Sequence, residues 1–180
     1  MLAIFGKKKL STERTAHLFA HNIIETVESG FPDIAGFIND SPEFVTSPCI
    51  LPEDYGRFLM IVVAGNYAYI SQQFQDGEDK QIIAQCNEKL APVFGMSTIA
   101  FADTIAEYKS YMSRVNTPSK NTVYAMSKAV FFKYNLNQHQ DDYFKQMKTP
   151  NPIFLKSLDE LMKNFVWDWE VFTEKYKVVA

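Results

Sequence analysis

LKSLDELMKNFVWDWEVFTEKYKVV, residues 155–179, is the stretch whose reading decides the fold. Its apolar positions Leu155, Leu158, Met162, Phe165, Trp169, Phe172, Tyr176 and Val179 alternate spacings of three and four without a miss. That is the period of a heptad seam along one side of a helix. A seam of this kind must be covered by another long helix running beside it at a shallow angle. The expected fold is therefore all-α: a mostly antiparallel, left-handed bundle of about six helices, closed by one long C-terminal heptad helix.

Working back from that segment, the rest of the chain supplies the partners. Ser11 or Thr12 is placed to cap a first helix in which Ala16, Ala20, Ile23 and Val27 recur at helical spacing, with Gly30 as its stop. Pro32 and Asp33 then open a short helix through Ile38, and residues 39–52, with Pro42, Pro48 and Pro52, read as a loop. A third helix is expected from Pro52 to about Gln75, its middle apolar all round as in the centre of a bundle. Gly65-Asn66 between two β-branched and aromatic runs also permits a hairpin over residues 58–74, which would make the fold α+β. Ile83, Cys86, Leu90 and Val93 mark a fourth helix closed by Gly95, and Ser97 or Thr98 caps a fifth that ends before Pro118. A sixth covers Tyr124 to Leu136, and Asp141 and Asp142 are placed to cap a short helix from Tyr143 to Met147.

Composition agrees with a single folded domain over residues 1–180. Of its residues 47% are hydrophobic and 22% charged, too apolar for a disordered chain, and only 7 Gly and 8 Pro are available for the turns that an all-β fold needs. The net charge of −3, with Arg14, Arg57 and Arg114 the only arginines among 18 basic residues, argues against nucleic-acid binding. No apolar run approaches the ~20 residues of a membrane span, no secretory leader is expected because the apolar run at residues 1–5 is short and is followed by Lys7, Lys8 and Lys9, and Cys49 and Cys86 lie too far apart in sequence for a Cys-x-x-Cys site. A cytoplasmic location follows as the expectation. Residues 1–10 read as a flexible basic tail in which Leu2, Ile4 and Phe5 could insert weakly at an anionic membrane surface, with Lys7, Lys8 and Lys9 adding about 1 kcal/mol each.

Few residues suggest chemistry. His17, His21 and Glu25 stand four apart on the first helix, a spacing that lets two imidazoles share a transition metal, although Glu25 is rotated away from His17 and a third ligand would have to come from elsewhere. His139, Asp141 and Asp142 form a second compact polar group, and Asp103 and Glu107 read as the polar face of the fifth helix. Nucleophile elbows, phosphate loops, His-Glu-x-x-His and the Glu-x-x-His pairs of di-iron bundles are absent from the sequence. Trp167, opposite the seam, is the candidate anchor for a partner or a second copy of the chain. The expectation is thus a non-enzymatic interaction or scaffold module that pairs with a protein partner or with itself as a homodimer and needs no cofactor. Two alternatives stand beside it: a metal-binding bundle using His17 and His21, and a bundle that holds an apolar ligand among Tyr67, Tyr69, Phe131, Phe132 and Trp169.

Overall fold

The computed structural model describes residues 6–180. Its centre is the helix α2 (Gly56–Gln73), and every residue from Phe58 to Tyr67 is buried. The remaining elements are β1 (Lys8–Ser11), α1 (Thr12–Asn39), α3 (Glu78–Leu90), α4 (Thr98–Asn116), α5 (Thr122–Lys133), α6 (Asp142–Met147), α7 (Pro152–Met162), α8 (Trp169–Lys175) and β2 (Tyr176–Val179). The all-α architecture expected from the sequence is present, with α2 packed against α1, α3, α4, α5 and α8.

Side-chain pairs give the directions of the helices. Phe31 meets Phe58 at 5.1 Å and Phe19 meets Tyr67 at 6.4 Å, so α1 and α2 run antiparallel. Tyr134 reaches Phe58 while Met126 lies against Gly65, which makes α5 antiparallel to α2. Lys133 stands over Tyr108, and Lys128 donates to the Val115 carbonyl at 3.1 Å, so α4 and α5 are antiparallel too.

The hairpin alternative over residues 58–74 is overturned, because Gly65 and Asn66 lie inside α2 and not in a turn. A Cβ on Gly65 would come within 2.5 Å of the Met126 sulfur, so the glycine lets α5 approach the α2 backbone closely. The helix starts at Gly56, later than the proline at position 52 suggested, because its first turn is capped from outside. Tyr134 Oη accepts from the Phe58 N–H at 3.1 Å and donates to the Asp54 carbonyl at 2.7 Å.

Two further boundaries differ from the expectation. Gly30 does not stop α1, and Pro32 does not open a second helix: one helix runs from Thr12 to Asn39. Gly30 is small because the Phe165 ring packs over it, where a Cβ would fall 2.9 Å from the ring. Pro32 is exposed, so it forfeits one backbone bond without disturbing the buried face, and Val27, Phe31, Ile34 and Ile38 carry the apolar stripe past it. The loop after α1 is a packed connection. Asn39 binds both the N–H and the carbonyl of Ile50 at 2.8 Å, and Phe44 and Ile50 are buried. Ser97, Asn121 and Asp141 cap α4, α5 and α6, and Gly95, at φ +64, terminates the turn that follows α3.

The long C-terminal heptad helix is also corrected. Leu155, Leu158, Met162, Phe165, Trp169 and Phe172 are all buried, as the seam requires, but they sit on α7, a tight turn at Lys163–Phe165, and α8. Between the helices Val166 is extended, and Asp168 restarts the helix by accepting from the Val171 N–H at 2.9 Å. The break is stabilised from α2. Asn66, with no solvent exposure, donates to the Phe165 carbonyl at 2.9 Å and accepts from the Trp167 N–H at 2.9 Å. After α8 the chain becomes β2, which pairs in parallel with β1 in the register Lys8 to Tyr176 and Ser11 to Val179. Lys8, Lys9 and Leu10 therefore belong to a strand and not to a flexible tail, while Leu2, Ile4 and Phe5 lie outside the described residues. Among the described residues no helix is long and apolar enough to cross a membrane.

Two outcomes are expected of this packing. Asn66→Ala leaves the Phe165 carbonyl and the Trp167 N–H without partners and should lower stability by about 2–4 kcal/mol, read as a lower urea midpoint at unchanged slope. Cys86 is buried and burial pushes its thiol pKa up, whereas Cys49 is exposed. Ellman's reagent should accordingly titrate only Cys49 in the native protein at neutral pH and both thiols in denaturant.

Candidate functional site

His17, His21 and Glu25 of α1 are all exposed. His21 Nε2 stands 3.8 Å from Glu25, and the His17 and His21 rings lie parallel with centroids 6.5 Å apart. No third ligand joins the pair: the described residues contain no group of three or more His, Cys, Asp or Glu able to hold a metal. The second polar group is dispersed into structural roles. His139 Nδ1 shares a 2.9 Å hydrogen bond with Thr46, Asp141 caps α6, and Asp142 faces Lys145 at 3.9 Å on the surface. Asp103 and Glu107 are exposed, as a polar face should be.

The break between α7 and α8 produces the feature most suited to recognition. Where the chain leaves helical geometry, a cleft of about 470 Å³ opens between Tyr69, Gln72 and Gln73 of α2, Val123 of α5, and the segment from Val166 to Glu170. That volume falls in the range of ligand pockets, roughly 300–1,000 Å³. Trp167 is half-buried in its wall. Its ring stacks on Trp169 at 5.4 Å with 20° between planes, tilts against Phe19 at 5.5 Å and meets Phe172 edge-on at 5.9 Å. The indole is thus held on three sides by aromatic groups and, through its backbone N–H, by Asn66.

Trp169, beneath it, is buried, and its indole Nε1 has no hydrogen-bond acceptor among the described residues. A second recess of about 200 Å³, lined by Asn22, Thr26 and Asn164 among others, lies against Trp167 as well, so the ring contributes to two depressions. The polar groups of the main cleft are mostly committed. Lys163 pairs with Glu160 at 2.8 Å, Asp168 caps α8, and Gln73 donates to Thr173 at 3.3 Å. Gln72 and Gln73 are amides and the lining contains no serine, cysteine or histidine, so the arrangement suits binding of an apolar or flat group and offers no nucleophile and base in contact.

Of the aromatic residues expected around an apolar ligand, only Tyr69 and Trp169 border the cleft. Tyr67 and Phe131 are fully buried, and Tyr67 donates to Asn87 Oδ1 at 2.8 Å. Asn66, which builds the site, was visible in the sequence as a lone amide within an unbroken apolar run, a position where a buried polar group must have a partner.

Trp167 and Trp169 are the chain's only tryptophans, so tryptophan emission, excited selectively over tyrosine, reports on this cleft alone. Acrylamide should quench an accessible fraction that disappears in Trp167→Phe, leaving the resistant emission of Trp169. A single resistant population in the unsubstituted protein would contradict the exposure of Trp167. Comparison with known protein families, with curated proteins and with solved structures finds no match to this chain.

Proposed function

We propose that this protein is a non-enzymatic binding module that takes an apolar side chain of a partner protein into the cleft beside Trp167. The observation that carries this reading is the fixed, half-buried indole at the edge of an open cleft. Tryptophan on a rigid support, desolvated on one face and free on the other, has the character of an interface hot spot. Because its contacts with Phe19, Trp169 and Phe172 hold the ring in place, little side-chain entropy remains to be lost on binding. The free thiols Cys49 and Cys86 suit a reducing compartment such as the cytoplasm.

Selection of displayed peptides on the immobilised protein tests the proposal. Peptides with aromatic or large aliphatic residues should be enriched, should shift the tryptophan emission, and should lose at least about tenfold in affinity against Trp167→Ala, the loss expected when a hot-spot side chain is truncated. Enriched peptides that bind Trp167→Ala as well as the unsubstituted protein would overturn it. Sedimentation velocity in the same series identifies a second copy of the chain as the partner if mass doubles with concentration and Trp167→Ala abolishes the doubling.

A further inference from the structure

From Tyr108 to Gln140 the sequence has no aspartate or glutamate, yet it carries Lys109, Arg114, Lys120, Lys128 and Lys133, in a chain whose net charge is −3. Three of these cations rest on tyrosine rings. Arg114 lies 5.8 Å from the Tyr111 centroid, Lys128 4.7 Å from Tyr124, and Lys133 4.4 Å from Tyr111. Lys109 and Lys120 make no such contact and no salt bridge among the described residues. Both instead line one cleft of about 290 Å³, bounded by α2, the C-terminal half of α4 and the first turn of α5.

The rest of the lining supplies hydroxyl donors. Among the described residues the Ser113 and Thr122 hydroxyls make no hydrogen bond, and Ser119 Oγ accepts from the Asn121 N–H at 3.1 Å, which leaves its O–H able to donate. The positive end of α5 adds to the same field, since Thr122 is its first residue. Below the polar groups the floor is apolar, made of small alanines of α2 and α5 with Met112. Asn116 in the wall is 7% exposed and donates to the Asn121 carbonyl at 3.1 Å, which ties the end of α4 to the start of α5.

We propose that this cleft is a binding site for a phosphomonoester, with Lys109 and Lys120 pairing with the phosphate, the hydroxyls of Ser113, Ser119 and Thr122 donating to its oxygens, and a small organic group resting on the alanine floor. Lysine acts here as a point charge on phosphate, and charge-assisted hydrogen bonds in a cleft are stronger than neutral ones. The site is separate from the Trp167 cleft, shares no lining residue with it, and stands or falls independently.

Calorimetric titration with sn-glycerol 3-phosphate and with inorganic phosphate tests the proposal. Vesicles of phosphatidylcholine containing phosphatidic acid provide a parallel sedimentation arm, because a lipid headgroup presents the same phosphate chemistry. Saturable binding with 1:1 stoichiometry is expected, weakened by added salt, reduced about tenfold in Lys109→Gln or Lys120→Gln and unchanged in Lys177→Gln or Trp167→Ala. Binding of the soluble ester identifies a free phosphomonoester as the ligand, and vesicle binding alone, lost in the Lys109→Gln variant, identifies a headgroup. Binding that does not saturate, binding that is equal in the two cleft variants and the unsubstituted protein, or loss of equal size in Lys177→Gln overturns the site. The substituted lysines are exposed, so unchanged circular dichroism accompanies each measurement as the check on folding.

Discussion

One buried amide organises the C-terminal third of this protein. Asn66 projects from the most enclosed helix of the fold and, besides its bond to the Val62 carbonyl, offers one donor and one acceptor to a passing chain. Those two groups take the place of the helical partners that Phe165 and Trp167 would otherwise have found along their own backbone. A buried amide in an apolar helix carries a desolvation cost unless it is fully paired, and pairing with a chain break satisfies both partners at once. From that exchange follow the turn at residues 163–165, the extended Val166, the recapping by Asp168 and the exposure of one face of Trp167.

The same helix explains the rest of the packing. Gly65, next to the amide, admits Met126 of α5, and Gly30 of α1 admits the Phe165 ring that ends the tight turn. Tyr134 ties the start of α2 to the end of α5, with Arg57 stacked over its ring at 4.5 Å and donating to the Lys133 carbonyl at 2.7 Å. The cation meets the negative end of the α5 dipole, where such charges are favourable. Small residues, one amide and one phenol thus set how closely the helices around α2 approach it.

Much of this was legible in the residues. The three- and four-residue spacing located the apolar faces of α1, α4, α7 and α8, whereas in the fourth helix it put Val93, 45% exposed, on the seam and passed over the buried Ile82; the caps at Ser11, Ser97 and Asp141 lie where side-chain oxygens of that type were expected. The misread positions share one physical cause. Gly30, Pro32 and Gly65-Asn66 were interpreted through local backbone preference, whereas each is set by a distant side chain or by its exposure: the Phe165 ring, open solvent, Met126 and the Phe165–Trp167 backbone. Periodicity likewise cannot distinguish one helix from two helices whose seam continues across a break, because burial repeats on the same side in both. Trp167 was recognisable as the aromatic outside the seam, but the cleft beside it depends on the break and was not.

Hydrogen–deuterium exchange at the Trp167 amide tests the Asn66 clamp most directly. If Asn66 holds that N–H in the native state, it should exchange as slowly as the buried amides of α2, while the neighbouring Asp168 amide, which has no partner among the described residues, exchanges orders of magnitude faster. Uniform protection from Lys163 to Glu170 would indicate an unbroken helix, and rapid exchange at Trp167 would show that the amide is not bound; either result would contradict the account.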